Sequence, residues 1–224
     1  MTNEMKEVLA IPPSEAILVV IASFLLSLFL GTAFAILVSY SLSMVLEELL
    51  LMIVPLGYML SKKVDIKKYI GLKINFETIS LGVVIGVLLV FFDIIVTNVM
   101  ISIVGQSEVL EESNKLIIEM ARSTEGLTLV VIALTLAGIC EEFTFRGFLQ
   151  TAINSKYSLP VALFASSLAF GLVHFDPQAV YTISAFLLGL VLGYVYHRWR
   201  SYTVSATAHA TLNLIILVLV LLIS

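Results

Sequence analysis

Three short polar clusters interrupt apolar stretches in the second half of the chain: Glu141-Glu142 with Arg146, Phe170 with His174, and His209 with Asn213. Ionisable side chains are costly in hydrocarbon, so their presence there marks a functional site before anything else. A carboxylate beside an imidazole can bind a water and take its proton, and desolvation makes a carboxylate a stronger base. A second imidazole with an amide four residues on offers donors for a developing oxyanion, each typically contributing about 10²–10³ in rate. These parts suit a hydrolase that activates water against a carbonyl, above all a peptide bond presented at the membrane.

Competing chemistries have fewer of their parts. The chain contains no His-Glu-x-x-His pair to anchor a zincin-type metal and no Gly-x-Ser-x-Gly nucleophile. It also lacks a Gly-x-Gly-Asp carboxylate with a second membrane Asp. Cys140 adjoins Glu141, but a buried thiol is usually inert packing. Glu141, His174 and His209 could in principle share a metal; the expectation is a site that works without metal or cofactor.

Helical spacing explains how the clusters meet. Residues four apart share a face, so Phe170 points with His174, His209 with Asn213, and Glu142 with Arg146, acid first. Glu141 is turned about 100° from Glu142 and can face a cavity while Glu142 pairs with Arg146. The midpoint between Glu141 and His174 falls in Asn154-Ser155-Lys156-Tyr157-Ser158-Leu159-Pro160, a polar stretch ending in Pro that reads as the turn of a helical hairpin. Folding there brings Glu141 and His174 to one height. His209 and Asn213 lie about two turns into the last span, so the shared cavity is expected to open towards the cytoplasmic half.

The carrier is a membrane protein. Of 224 residues, 60% are hydrophobic and 12% charged, with a mean hydropathy of +1.09, which excludes a soluble domain. The expected fold is an all-α, multi-pass transmembrane helical bundle with an intramembrane polar cavity. About 20 apolar residues cross the hydrocarbon core. That rule predicts seven spans, near Ala16–Val38, Met44–Leu60, Thr78–Val104, Leu127–Ile153, Leu159–His174, Val180–Tyr196 and Val204–Ile223. Residues 1–126 form a three-span region with an outer loop, and residues 127–224 carry the motif helices, all in one integrated domain. The first span reads as uncleaved, although Thr32-Ala33-Phe34-Ala35 resembles a signal-peptidase site.

Basic residues set the orientation. Lys62, Lys63, Lys67, Lys68 and Lys73 crowd one link; Arg146, Lys156, Arg198, Arg200 and Lys6 fall on the same side, against Lys115 and Arg122 opposite. Ten of the twelve therefore share a side, and the N-terminus is expected in the cytoplasm of a cell-membrane protein. Ser107–Arg122 reads as an outer loop or half-amphipathic helix. Trp199 with Tyr194, Tyr196, Tyr202 and His197 forms an interfacial aromatic belt. No basic stripe points to nucleic acid; the expected partners are membrane lipid and a peptide or lipidated-protein substrate.

The motifs Glu141-Glu142-Phe143-Thr144-Phe145-Arg146, Phe170-Gly171-Leu172-Val173-His174 and His209-Ala210-Thr211-Leu212-Asn213 resemble the E-E-x-x-x-R, F-x-x-x-H and H-x-x-x-N signatures of the CPBP family of intramembrane proteases. That family includes type II CAAX prenyl endopeptidases and bacteriocin-processing or immunity proteins of the Abi type. It is called a metalloprotease family, although its characterised mechanism is that of a glutamate protease. The resemblance spans roughly residues 127–220. It implies that Glu141 and His174 activate water and that His209 and Asn213 support the oxyanion. It makes Glu142 and Arg146 structural supports and Phe170 packing beside His174. Seven spans is one fewer than in the eukaryotic-type members.

Other polar residues read more plainly. Glu47 and Glu48 are expected at the outer interface, Asp93 and Asn98 as bonds to a neighbouring helix with a cavity-lining role as the alternative, and Asp176 as an ordinary loop carboxylate ahead of a residue that orients His174. Two rival readings remain: a non-catalytic immunity or scaffold protein of the same fold, and a small transporter using these residues as a proton relay. The relay lacks the paired Gly/Pro-broken repeats such folds often show.

Overall fold

The computed structural model describes residues 11–223, and among them every regular element is helical. In order these are α1 (Pro13–Leu37), α2 (Tyr40–Ser61), a short α3 (Ile66–Ile70), α4 (Phe76–Val104), α5 (Glu108–Met120) and α6 (Thr124–Glu141). A π-helical stretch, Glu142–Gln150, follows, then α7 (Thr151–Lys156), α8 (Leu159–Val173), α9 (Val180–Trp199) and α10 (Tyr202–Ile223). Six helices are long and apolar enough to cross a membrane; the fourth of them runs unbroken over Thr124–Lys156. The expected fifth span is the exception. At 15 residues, α8 rises only about 22 Å, short of a hydrocarbon core of about 30 Å. Its reach is set by the hairpin: Pro160 in its first turn fixes the start, and His174 closes its other end.

The basic links gather at one end. Tyr202 N–H donates to the Gly71 carbonyl at 3.3 Å, joining the lysine-rich link to the α9–α10 turn. Gly71 takes the left-handed conformation there, with φ +66°. Lys6 lies outside the described residues. The expected helix within Ser107–Arg122 forms as α5, capped by the Ser107 hydroxyl and with no fully buried residue. It sits at the opposite end, where the Ser41 hydroxyl meets the Met120 sulfur at 3.2 Å.

Pro55 lies inside α2. Proline has no N–H, so the carbonyl of Leu51 loses its helical donor. Two hydroxyls from other helices replace it: Ser23 of α1 at 2.6 Å and Thr144 of the π stretch at 3.0 Å. One oxygen thereby ties three helices together, in a region where water cannot substitute.

Every residue from Glu142 to Gln150 is buried, which is why the π stretch tolerates no lipid-facing side. Phe143, Phe145 and Phe148 pack with Met59 and Ile70 in the main apolar core, between the polar cluster and the basic end. A second core joins Leu89 and Val90 of α4 to Leu188 and Leu192 of α9 and Leu212 of α10.

Candidate active site

The polar cluster sits where α6 becomes π-helical, a type of helix defect frequent at functional sites. Glu141 is the last α-helical residue and Glu142 the first of the π stretch. Arg146 is fully buried; its Nη1 pairs with Glu142 Oε1 at 3.0 Å and its Nη2 donates to the Gly189 carbonyl of α9 at 3.3 Å. The guanidinium also lies over the Phe170 ring, 4.3 Å from its centroid. Arg146 therefore fastens the π stretch to both α8 and α9. Gln150 repeats the device one turn on, donating to the Gly193 carbonyl at 2.9 Å.

The hairpin brings its two arms into register as the spacing predicts. His174 Nε2 lies 3.6 Å from Glu141 Oε1. Its Nδ1 faces the Phe170 carbonyl at 2.8 Å, and a carbonyl only accepts, so Nδ1 carries a proton and Nε2 is turned to Glu141. Tyr181 and Phe170 hold the ring from two sides, with centroids 5.0 and 4.6 Å away.

His209 completes the group from α10. Its Nε2 lies 3.6 Å from Glu141 Oε2, and its Nδ1 donates to Glu142 Oε1 at 3.2 Å. This closeness depends on Gly138, one turn before Glu141: a Cβ there would sit 2.7 Å from the Ala210 Cα. Asn213, one turn beyond His209, lines the same cavity and donates one amide hydrogen to the Leu134 carbonyl at 3.2 Å. Phe170, 99% buried, packs against Arg146, His174 and His209 together.

Glu141, His174 and His209 thus form one cluster, with Glu142, Arg146 and Phe170 behind it. The separations of 3.6 Å around Glu141 exceed a direct hydrogen bond and leave room for a bridging oxygen. Among the described residues, no group of three His, Cys, Asp or Glu side chains has the geometry to hold a metal ion.

The cavity departs from expectation. It occupies about 500 Å³ and extends from Glu141 and His209 along Met44 and Ile101 to Val220 and α5, away from the lysine-rich end. The phenylalanine core fills the space on the other side, so it cannot open there. Two residues outside the motifs also line the cavity, Asp93 as its alternative reading allows and Glu48 against expectation. Glu48 does so because α2 begins at Tyr40 after the Ser39 cap, earlier than expected, which carries Glu48 into the third turn. Asn98 merely bonds its own helix, at the Ile94 carbonyl. Asp176 is buried and accepts the backbone N–H groups of Gln178 and Tyr181, at 3.0 and 2.9 Å. It organises the connection after His174 without touching the imidazole. The hydroxyl of Thr182 adds a bond to the His174 carbonyl at 3.0 Å.

No curated protein and no solved structure matches the chain. Residues 123–215 match the family described as type II CAAX prenyl endopeptidase Rce1-like. That segment holds the π stretch, both imidazoles and Asn213, so the motif-bearing part of the chain is similar to the Rce1-like family.

Proposed function

We propose that the protein is an intramembrane endopeptidase of glutamate type. The observation that carries this reading is Glu141 held between two imidazoles, each 3.6 Å away, at the inner end of a cavity. A water between Glu141 and His174 can give one hydrogen to the carboxylate and the other to Nε2, two acceptors that fix its lone pair. Glu141 takes the proton as the water oxygen attacks the peptide carbonyl. His209, carrying a proton on each ring nitrogen, donates Nδ1–H to Glu142 and turns Nε2–H, with the second amide hydrogen of Asn213, to the developing oxyanion. Collapse of the tetrahedral intermediate breaks the C–N bond, and the proton held by Glu141 passes to the leaving amine. The side chains of Arg146 and Phe170 keep the group rigid rather than reacting. The lysine-rich end is read as cytoplasmic, which places the cluster nearer that face and the cavity towards the other.

The test is cleavage of quenched membrane peptides, including a farnesylated CAAX peptide, by purified protein with and without chelator. Glu141→Gln keeps the shape and removes the base, and a loss of about 10²–10⁴ in rate is expected, with chelator having no effect. Undiminished cleavage by that variant refutes the assignment, and loss to chelator replaces it with metal chemistry.

A further inference from the structure

The cavity leading to Glu141 is lined by four carboxylates, Glu48, Asp93, Glu111 and Glu141. Among the described residues no Lys or Arg lines it; two imidazoles are its only other ionisable nitrogens. Glu111 at the α5 rim has its own counter-ion, Lys115 at 3.9 Å. Glu48 does not. Its Oε2 is sealed from solvent and has no hydrogen-bond partner, although the side chain lies within electrostatic reach of Glu141. Asp93 stands on the wall formed by α4, within electrostatic reach of His209. A buried carboxylate oxygen without a donor is costly to leave so, by roughly 1–3 kcal/mol or more. Placed near Glu141 with no Lys or Arg on the cavity wall, it is built to be satisfied by what enters the cavity.

We infer that Glu48, seconded by Asp93, is a specificity determinant that receives a cationic group of the substrate. The preferred substrate is accordingly an apolar peptide with a Lys or Arg side chain, or a free amino terminus, near the scissile bond. The apolar remainder of the lining, such as Met44, Ile101, Leu188 and Ile216, accommodates the rest. This rests on the endopeptidase reading above and narrows it to cationic, membrane-associated peptides.

The experiment uses the full chain in lipid nanodiscs and C-terminally amidated, quenched decapeptides of Leu, Ala and Phe. One position, scanned along the peptide, carries Lys, its uncharged counterpart norleucine, or Glu. Binding is read in parallel by fluorescence anisotropy with dye-labelled Lys and norleucine peptides. The wild type should favour the best Lys peptide over its norleucine twin by about tenfold in kcat/KM and in affinity. Glu48→Gln should collapse the Lys-to-norleucine ratio towards one, and Asp93→Asn should reduce it partway, with both variants monodisperse and wild-type-like in helix content. A wild type indifferent to the cation, or a ratio that survives both substitutions, overturns the inference. The two readings fail separately. Glu141-dependent cleavage without Lys preference removes only the specificity, whereas Glu48-dependent Lys binding without cleavage removes only the enzyme.

Discussion

Replacing Arg146 with Met should be far more damaging than replacing Arg146 and Glu142 together. The pair is fully buried, with Nη1 and Oε1 3.0 Å apart and nothing aqueous to screen either charge. Removing one partner of such a pair typically costs about 3–5 kcal/mol, because the survivor is left charged in a dry interior. Arg146→Met also forfeits the bond to the Gly189 carbonyl and the contact with Phe170. Replacing both by apolar residues of similar volume, as in Glu142→Leu with Arg146→Met, is often neutral in comparable sites. Stability should therefore fall in the single variant and largely return in the double. Activity should not return, because His209 Nδ1 loses the acceptor that orients it; a deficit of about 10²–10³ is expected. Reversible unfolding in mixed micelles of increasing SDS content measures the first quantity and peptide cleavage the second. A double variant no more stable than the single would refute the electrostatic argument. A fully active double variant would refute the role given to Glu142.

Three further outcomes follow from other contacts. Gly138→Leu should push α10 from α6, cost at least about 1–3 kcal/mol in overpacking, and separate His209 from Glu141; wild-type cleavage by a folded variant would contradict the positioning argument. Ser23→Ala with Thr144→Val should strip the Leu51 carbonyl of both donors and cost about 1–3 kcal/mol, and adding Pro55→Ala should restore stability by supplying the missing N–H. If the proline replacement gives no rescue in the same SDS titration, the account of that carbonyl is wrong. Asp176→Ala should loosen the turn after His174 by about 1–3 kcal/mol and lower kcat at nearly unchanged KM, a split that steady-state kinetics detects.

The site was more legible than its surroundings. Glu141, Glu142, Arg146, His174 and His209 could be placed by counting, since helical spacing and a polar turn fix height and face without tertiary knowledge. The all-helical bundle followed from hydropathy for a similar reason: in lipid, backbone groups must be paired within the helix. Other features depend on partners distant in sequence. Nothing local distinguishes Glu142–Gln150 from an ordinary helix; its widening goes with burial on every side against α1, α2, α8, α9 and α10. Glu48 was misplaced by four residues of helix start, and the Ser39 cap was the available signal. The direction of the cavity was unreadable because it is decided by which end the phenylalanines fill.

The shared oxygen of Leu51 also bears on how the protein is made. A polypeptide enters the membrane from its amino-terminal end, so α1 and α2 arrive as a pair long before residue 144 is synthesised. Ser23 can cover the bare carbonyl at once, making the first hairpin tolerable in lipid on its own. Thr144 then finds a docking point already formed, ninety-three residues upstream, when the helix bearing Glu141 inserts. The proline gives that late-arriving helix a polar latch at a fixed depth, so the height of Glu141 is set as the helix inserts.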